Sequence, residues 1–259
     1  MARILAVTNQ KGGVGKTTTT VNLAASFAMT KRRVLVVDLD PQGNATMGSG
    51  VDKNTLNRSI YDILLGEAEV QDVLIPSGKG QYDLLPSNRE LAGAEIELVG
   101  MSDREHRLKI SLLDVQSEYD YILIDCPPAL NLLTVNGLCA AQSVMIPMQC
   151  EYYALEGLSD LVQTIRRIRS HLNPDLEIEG LLRTMFDPRN ALAQQVSSQL
   201  QQHFGDKVYR TVIPRNIRLA EAPSFGVPVL VHDKKSKGAQ AYLTLAGEMI
   251  RKAALEYAQ

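Results

Sequence analysis

The sequence has few cysteines and no long apolar run. Its three cysteines, at positions 126, 139 and 150, are widely spaced in apolar surroundings. This pattern argues against a disulfide framework or a C-x-x-C metal site, and we expect small buried side chains in a reducing compartment. No apolar stretch approaches the roughly 20 residues that cross a bilayer, and no charged-then-apolar leader begins the chain. We therefore expect a soluble, unprocessed, cytoplasmic protein without stable membrane association.

The sequence also lacks a surplus of charge of one sign. It carries 27 lysines and arginines against 29 aspartates and glutamates, a formal net charge of −2. Such a balance gives no overall attraction to nucleic acid, so any DNA binding has to come from a local basic patch. There is no internal repeat or low-complexity linker, and 45% of the 259 residues are apolar. We expect one domain over residues 1–259.

Apolar strand-like runs alternate with segments of helical periodicity. This alternation is typical of an α/β fold with a doubly wound, mostly parallel sheet and helices on both faces. Strands are predicted at 4–9, 34–40, 82–86, 121–125, 144–149, 178–185, 208–213 and 229–231. Helices are predicted at 16–29, 59–65, 91–98, 104–115, 132–141, 155–171, 192–204 and 238–257. The polar segment 43–57, rich in glycine and asparagine, is expected to be a mobile loop.

A glycine-rich segment follows the first predicted strand. Residues 11–18 read Lys-Gly-Gly-Val-Gly-Lys-Thr-Thr. The glycines let consecutive backbone N–H groups form an anion-binding nest, to which the next helix adds its positive dipole end. Lys16 supplies a charge between the β- and γ-phosphates, and the Thr17 hydroxyl is placed to bind Mg²⁺. The segment therefore predicts a nucleoside triphosphate site in a P-loop NTPase, made of Lys11, Gly12, Gly13, Val14, Gly15, Lys16, Thr17 and Thr18.

The loop departs from the strict pattern G-x-x-x-x-G-K-[ST] at its entrance. That pattern requires glycine where this chain has Gln10, and the chain has a second lysine, Lys11, next to it. This variant resembles the deviant Walker A signature of the ParA/MinD group of ATPases. The resemblance implies that Lys11 reaches across a dimer interface to the partner's nucleotide.

Carboxylates end two of the predicted strands. Asp125 ends the apolar strand 121–125 and is followed by Cys-Pro-Pro, a Walker B arrangement in which the carboxylate lies beside the Mg²⁺ shell, through a water. The alternative is an aspartate that caps a strand-to-loop turn. Alternation along the strand 34–40 puts Asp38 and Asp40 on one face, with Asp40 nearer the carboxyl end where ligands bind. Asp38 has either a place near the metal or a structural role.

Further motifs extend the resemblance along the whole chain. They lie at 38–44 (Asp-Leu-Asp-Pro-Gln-Gly-Asn), 91–98, 125–128, 149–157 and 212–216. With the loop, they resemble the chromosomal ParA family, also called Soj. The resemblance implies that the nucleotide is ATP, that Pro214 and Asn216 contact the adenine, and that Asp40 orients or activates the attacking water. It thus implies a Mg²⁺-dependent ATPase with the catalytic residues Lys11, Lys16, Asp40 and Asp125, and metal contacts by Thr17 and Asp125.

The same resemblance implies partners. It predicts an ATP-dependent homodimer that binds duplex DNA on the nucleoid, with Arg189 and Arg218 on the phosphates. It also predicts a ParB-type centromere-binding protein that accelerates hydrolysis, and segregation of a chromosome or plasmid as the output. Because no aromatic residues interleave with the basic ones, we expect backbone binding without sequence readout. Other basic clusters that could serve instead lie at 166–169 and 234–237.

Two other functions remain open. A MinD-like membrane-associated positioning ATPase would end in a basic amphipathic helix, whereas the charges of the last predicted helix balance. Its apolar residues recur at helical spacing, which favours packing on the sheet. These residues are Tyr242, Leu245, Met249 and Ala253. The second alternative is a nucleotide-gated DNA-binding protein whose turnover matters only when a partner stimulates it.

Overall fold

Seven strands form one sheet at the centre of the computed structural model, which describes residues 2–256. The strands are β1 Arg3–Val7, β2 Val34–Asp38, β3 Ile75–Pro76, β4 Asp83–Leu85, β5 Tyr121–Asp125, β6 Ser143–Gln149 and β7 Glu177–Thr184. Their order is β3-β4-β2-β5-β1-β6-β7, and only the β3–β4 pair is antiparallel. The central strands are buried along their length, as expected of apolar runs covered on both faces. This arrangement confirms the predicted fold class.

Helices cover both faces of the sheet and form two hydrophobic cores. They are α1 Lys16–Met29, α2 Asn44–Gly48, α3 Ile60–Leu65, α4 Val70–Val73, α5 Leu91–Glu97, α6 Arg107–Leu112, α7 Leu132–Ala140, α8 Ala154–His171, α9 Ala191–Phe204, α10 Ile217–Glu221, α11 Val229–His232 and α12 Lys237–Glu256. The predicted end of the last helix, Tyr257, lies outside the described residues. Among the described helices, none is both long and apolar enough to cross a membrane.

Helix α12 packs against α1 on one face of the sheet. Tyr242, Leu245 and Met249 are almost completely buried there, and the Tyr242 hydroxyl is hydrogen bonded to Thr19 Oγ1 at 3.1 Å. The prediction that the last helix packs on the sheet is therefore confirmed. These three apolar side chains are therefore not exposed for a membrane.

The segment 208–213, predicted as a strand, is not one. It touches β7 only through isolated contacts such as the bridge between Leu181 and Val208. The backbone N–H groups of Arg210 and Thr211 instead donate to the Glu248 carboxylate of α12, at 2.7 and 2.9 Å. The N–H groups of these two residues therefore do not bond to β7, and a continuous strand ladder with β7 does not form.

The prediction of a short strand at 229–231 is also wrong. The segment is the one-turn helix α11, which begins after Pro228. Its first N–H group, on Val229, donates to Asn22 Oδ1 of α1 at 2.7 Å. That bond fixes the start of the turn on α1, away from the sheet.

The predicted mobile loop 43–57 contains helix α2, and most residues of its first half are buried. Thr46 is fully buried, and both its N–H and its hydroxyl donate to Asp38 Oδ2 at 2.8 Å. The Thr46 hydroxyl also accepts a hydrogen bond from the Ser87 N–H at 2.9 Å. The segment is therefore pinned to the end of β2, because a buried carboxylate needs these donors.

Replacement of Thr46 by valine tests this anchor. Thr46→Val keeps the side-chain shape but leaves both Asp38 and the Ser87 N–H short of a partner. At about 1–3 kcal/mol for each of these two unsatisfied buried groups, the free energy of unfolding should fall by about 2–6 kcal/mol in urea titrations. The matched control is Thr55→Val, an exposed position of the same segment, which should change stability by less than about 0.5 kcal/mol. Equal stability of the two variants would contradict the anchor.

Candidate nucleotide-binding site

The loop between β1 and α1 has the backbone shape of an anion-binding nest. Gly13 and Gly15 have φ angles of +73° and +88°, a region that favours glycine. Gly15 is the N-cap of α1, and no side chain caps the helix or adds an acidic group to its first turn. The first N–H groups of α1 and its dipole therefore point at the loop without a protein anion to bind. Phosphate oxygens are suitable partners for them.

Side chains from neighbouring strand ends hold this loop in place. Thr184 Oγ1, at the end of β7, donates to the Val14 carbonyl at 2.7 Å. Gln149 Nε2, at the end of β6, donates to the Gly13 carbonyl at 3.1 Å. The loop is thus built before any ligand arrives. Sequence reasoning assigned no role to Thr184 or Gln149, although their places at the carboxyl ends of strands are a signal that could have found them.

The two lysines of the loop have different environments. Lys16 is buried, and its Nζ donates to the Lys11 carbonyl at 3.3 Å. Burial lowers the pKa of Lys16, and the nearby Asp125 carboxyl opposes that shift. The Lys11 side chain is half exposed at the mouth of the loop, where it forms an ion pair with Glu151. Lys16 is therefore the internal cation of the loop, and Lys11 is a surface cation whose partner Glu151 was not expected.

Asp125 lies fully buried at the end of β5, against the first turns of α1. Its Oδ2 accepts a hydrogen bond from Thr17 Oγ1 at 2.7 Å, and its Oδ1 accepts one from Thr20 Oγ1 at 3.2 Å. Burial, and next the neighbouring Asp38 carboxyl, raise the pKa of Asp125 to about 8. Because the Thr17 proton is directed at Asp125, the oxygen lone pairs of Thr17 are available to a cation.

A divalent cation at Thr17 would need further oxygen ligands. Within residues 2–256 no group of three or more His, Cys, Asp or Glu side chains could hold a metal ion. Mg²⁺ prefers six oxygen ligands, keeps several waters and commonly binds through substrate phosphates. The donor set of Thr17 with the second-layer carboxylate Asp125 fits such a shared site, and does not fit a metal held by protein alone.

Asp38 and Asp40 have different surroundings. Asp38 ends β2 beside Asp125 in the strand register and is fully buried. Its carboxylate accepts bonds from the Asp40 N–H at 3.1 Å and twice from Thr46, which is a structural role. Asp40 lies beyond the strand end and is only partly buried, and its Oδ1 accepts from the Gln42 N–H at 2.9 Å. Of the two, Asp40 has the carboxylate that a ligand could reach.

A cavity of about 170 Å³ opens beside the loop. It is lined by Gly15, Pro214 and Asn216, with Met185 and Tyr242. Asn216 also caps α10, since its Oδ1 accepts from the Leu219 N–H at 3.3 Å. Its side-chain amide remains a possible donor. The cavity has the position and the mixed apolar and polar lining that a nucleotide base next to the phosphates requires.

The two arginines expected on DNA lie on the surface. Arg189 precedes α9 and Arg218 lies in α10, and neither lines the cavities beside the phosphate loop. Each forms ion pairs within the chain, Arg189 with Asp187 and Arg218 with Glu221 and Asp233. The structure gives both arginines carboxylate partners that the sequence did not reveal.

All three cysteines are buried and free, as predicted. Burial raises the pKa of the Cys126 thiol far above its ordinary value, and the pKa values of Cys139 and Cys150 to about 11. Buried thiols of raised pKa are unreactive, because the thiolate is the nucleophile.

Comparisons with known proteins agree with this geometry. The AAA domain family matches residues 2–178. The chain is 55% identical to the sporulation initiation inhibitor protein Soj of Bacillus subtilis, covering 96% of this chain and 98% of that protein. It is 50% identical to the chromosome partitioning protein ParA of Myxococcus xanthus, covering 97% and 89%.

A solved structure is similar over nearly the whole chain. It is cobyrinic acid a,c-diamide synthase from Mycobacterium smegmatis with bound ADP and magnesium, 39% identical, with a TM-score of 0.86 and coverage of 97% of this chain and 95% of that one. The fold therefore accommodates a nucleotide and magnesium in a related protein.

Replacement of Asp125 by asparagine tests the buried charge. In the unfolded chain this carboxyl ionises near pH 4, whereas in the fold its pKa is about 8. The folded state thus holds a proton that the unfolded state has lost, so this group makes the wild type less stable as pH rises between these values. Without nucleotide and Mg²⁺, the stability of Asp125→Asn relative to wild type should increase between about pH 5 and about pH 8 in urea titrations. The exposed control Asp114→Asn should show no such trend, and a pH-independent difference for Asp125→Asn would contradict the assignment.

Proposed function

The chain belongs to the Soj and ParA family of chromosome-partitioning ATPases, and we propose that its ATP-bound form is a homodimer that binds duplex DNA without sequence preference. In this proposal residues 1–259 act as a single ATPase domain. Hydrolysis dissociates the dimer and releases it from the nucleoid. A ParB-type centromere-binding partner accelerates hydrolysis, so that a chromosome or plasmid carrying the partner is segregated.

The observation that carries this proposal is the separation of the two loop lysines. The phosphate loop already has its internal cation in the buried Lys16. The side chain of Lys11 is half exposed at the mouth of the loop, where it forms an exposed ion pair with Glu151. Such pairs contribute little to stability and exchange readily. Lys11 is therefore available to the phosphates of a second subunit, which would couple ATP binding to dimerisation.

ATP and Mg²⁺ are the expected ligands. We assign residues 11–18 to the phosphates. In this assignment Thr17 binds Mg²⁺, while its hydroxyl donates a hydrogen bond to Asp125. Pro214 and Asn216 are assigned to the adenine. Support comes from the related structures that hold ADP or an ATP analogue with magnesium, and from the uncapped N-terminus of α1. The positive charge of Lys16 and the metal would stabilise the charge on the transferred phosphoryl group.

Asp40 is the candidate for positioning the attacking water. Its carboxylate is partly exposed beyond the end of β2, and it is close enough to Lys16 and Asp125 to affect their pKa values. Asp38 is less suitable, because its oxygens already accept three hydrogen bonds. In this assignment Asp40 acts on the water, while Asp38 holds the segment that carries Asp40.

Two other functions have less support. An amidating enzyme that takes ammonia from glutamine would need an activated thiolate, whereas the three thiols here are buried with raised pKa values. A membrane-associated positioning ATPase of the MinD kind would need an exposed apolar helix face. Tyr242, Leu245 and Met249 of α12 are instead buried on the side that packs against α1.

Replacement of Lys11 by alanine tests the role across the interface. Lys11→Ala should bind ATP with nearly wild-type affinity as a monomer, because Lys16 remains. It should lose the ATP-dependent dimer in sedimentation velocity, and most of the hydrolysis with it. The exposed control Lys79→Ala should dimerise like the wild type. A Lys11→Ala protein that still dimerises with ATP would show that Lys11 belongs only to its own loop.

Replacement of Asp40 by alanine should stop the cycle after dimerisation. Mg²⁺ and ATP remain bound while the water is no longer positioned, so single-turnover hydrolysis should slow by about 10²-fold or more. The dimer and its complex with DNA should become long-lived. Asp52→Ala, an exposed carboxylate nearby in sequence, serves as the control. Fast hydrolysis in Asp40→Ala would move the catalytic role elsewhere.

Alanine at Arg189 or Arg218 tests the DNA surface. Each variant removes two phosphate contacts from a symmetric dimer, so the slope of log affinity against log salt should fall by about 1.8, at about 0.9 per contact. ATP binding and dimerisation should persist, and the loss should be the same for any DNA sequence. Wild-type affinity and slope in both variants would place the surface on another basic cluster.

A further inference from the structure

The two arginines assigned to DNA are held by carboxylates of their own chain. We propose that Asp187, and likewise Glu221 with Asp233, compete with DNA phosphates for Arg189 and Arg218, so that DNA binding exchanges an intramolecular carboxylate for a phosphate. This inference rests on the proposed DNA-binding function. It adds to that function a set of acidic residues that lower the affinity for DNA.

Arg189 is engaged along one complete edge of its guanidinium. Its Nε donates to Asp187 Oδ1 at 3.0 Å and its Nη2 donates to Asp187 Oδ2 at 2.8 Å. That edge is one of the two at which a guanidinium can bind a phosphate in a two-point contact. The side chain is 88% exposed, so nothing but the carboxylate keeps it from an approaching anion. Contact of this edge with a phosphate therefore requires that the pair with Asp187 opens.

Arg218 is engaged by two carboxylates from different segments. Its Nη1 donates to Glu221 Oε2 at 2.9 Å within α10, and its Nε lies 3.4 Å from Asp233 Oδ2, just after α11. Glu221 also faces His232 Nε2 at 3.5 Å. Two of the guanidinium nitrogens thus have anionic partners before DNA arrives. The same exchange applies here, with two carboxylates in place of one.

The competing aspartates are fixed by the backbone and remain in place when the arginine leaves. Asp187 Oδ1 accepts from the Arg189 N–H at 3.0 Å, and Asp233 Oδ1 accepts from the Lys235 N–H at 3.1 Å. The hydrogen bonds from Arg189 also lower the pKa of Asp187 to about 2, so it is ionised at any physiological pH. Asp187 therefore stays charged and in place as an acceptor that competes with a phosphate for Arg189.

Exposed lysines near Arg218 provide a contrast. In the part of the chain that the structure describes, Lys234 and Lys235 have no carboxylate within ion-pair distance. Their charges attract DNA from a distance, whereas the charge of Arg189 is offset by Asp187 until a phosphate is in contact. The competing carboxylates thus weaken binding to any single dimer and speed its release, which suits a protein that must leave DNA.

The test compares Asp187→Asn with Arg189→Ala and with the double variant. Asparagine keeps the oxygen that accepts from the Arg189 N–H but removes the charge. Affinity for a labelled duplex of arbitrary sequence is measured by fluorescence anisotropy with ATP and Mg²⁺, over a range of salt. An exposed ion pair changes an equilibrium constant by a factor of about 1.4 to 5, and the dimer opens two pairs. Asp187→Asn should therefore bind about 2-fold to 30-fold more tightly than the wild type.

Two controls separate competition from simple repulsion. In the Arg189→Ala background, Asp187→Asn should change affinity by less than about 2-fold, because the competitor acts through the arginine. Asp114→Asn, the same charge change at the exposed position after α6, should also leave affinity unchanged. Glu221→Gln combined with Asp233→Asn should repeat the result through Arg218.

The outcomes distinguish this inference from the proposed function. Weaker DNA binding by Asp187→Asn would make Asp187 a positioning residue for Arg189 and would overturn the competition. If Asp187→Asn strengthened DNA binding equally in the wild-type and Arg189→Ala backgrounds, Asp187 would act by simple repulsion and the proposed competition would be overturned. Wild-type affinity and salt slope in Arg189→Ala would instead remove Arg189 from the DNA surface, and both the assignment and the inference at that position would fail.

Discussion

The buried carboxylate of Asp125 is the charge on which the nucleotide site depends. It lies at the end of the central strand β5, where Thr17, Thr20 and Lys16 of the first turns of α1 surround it. A carboxylate without water is costly to ionise, as the raised pKa of Asp125 indicates. In the proposed site, the positive charge of the metal ion would be the partner that this carboxylate lacks.

A second buried carboxylate extends this arrangement to the next strand. Asp38 is the neighbour of Asp125 in the sheet register, and it holds α2 through Thr46. The short segment between Asp38 and α2 carries Asp40. A change in charge at the phosphates thus acts on a short backbone segment that is fixed at both ends. This gives a physical route by which hydrolysis can alter the surface around the site, including the mouth of the loop where Lys11 lies.

The sequence was sufficient for elements whose residues interact mainly with their neighbours along the chain or with a continuous apolar core. Helix α1 and strand β5 have the predicted limits, because a glycine loop and an apolar run define them locally. The prediction of a strand at 208–213 was wrong because Glu248, which is distant in sequence, accepts hydrogen bonds from the N–H groups of Arg210 and Thr211. The prediction of a mobile loop at 43–57 was wrong for a similar reason. The polar composition of the segment gave no sign that Thr46 donates two hydrogen bonds to the buried Asp38.

The same distinction applies to the candidate site. The motifs located the loop residues, Asp125 at the carboxyl end of β5, and Pro214 and Asn216, which line the cavity beside the loop. They gave no sign of the carboxylate partners of Lys11, Arg189 and Arg218, because ion pairs between exposed side chains leave no periodic pattern. Those partners bear directly on function, since each must be exchanged when the lysine or arginine binds a phosphate.

The affinity of the wild-type protein for a DNA duplex of arbitrary sequence, measured with ATP, with ADP and without nucleotide, tests the account most directly. We expect tight, salt-sensitive binding with ATP alone, because in the proposed cycle only the ATP-bound dimer joins the basic surfaces of two subunits. Equal binding in all three states, or no binding with ATP, would contradict it.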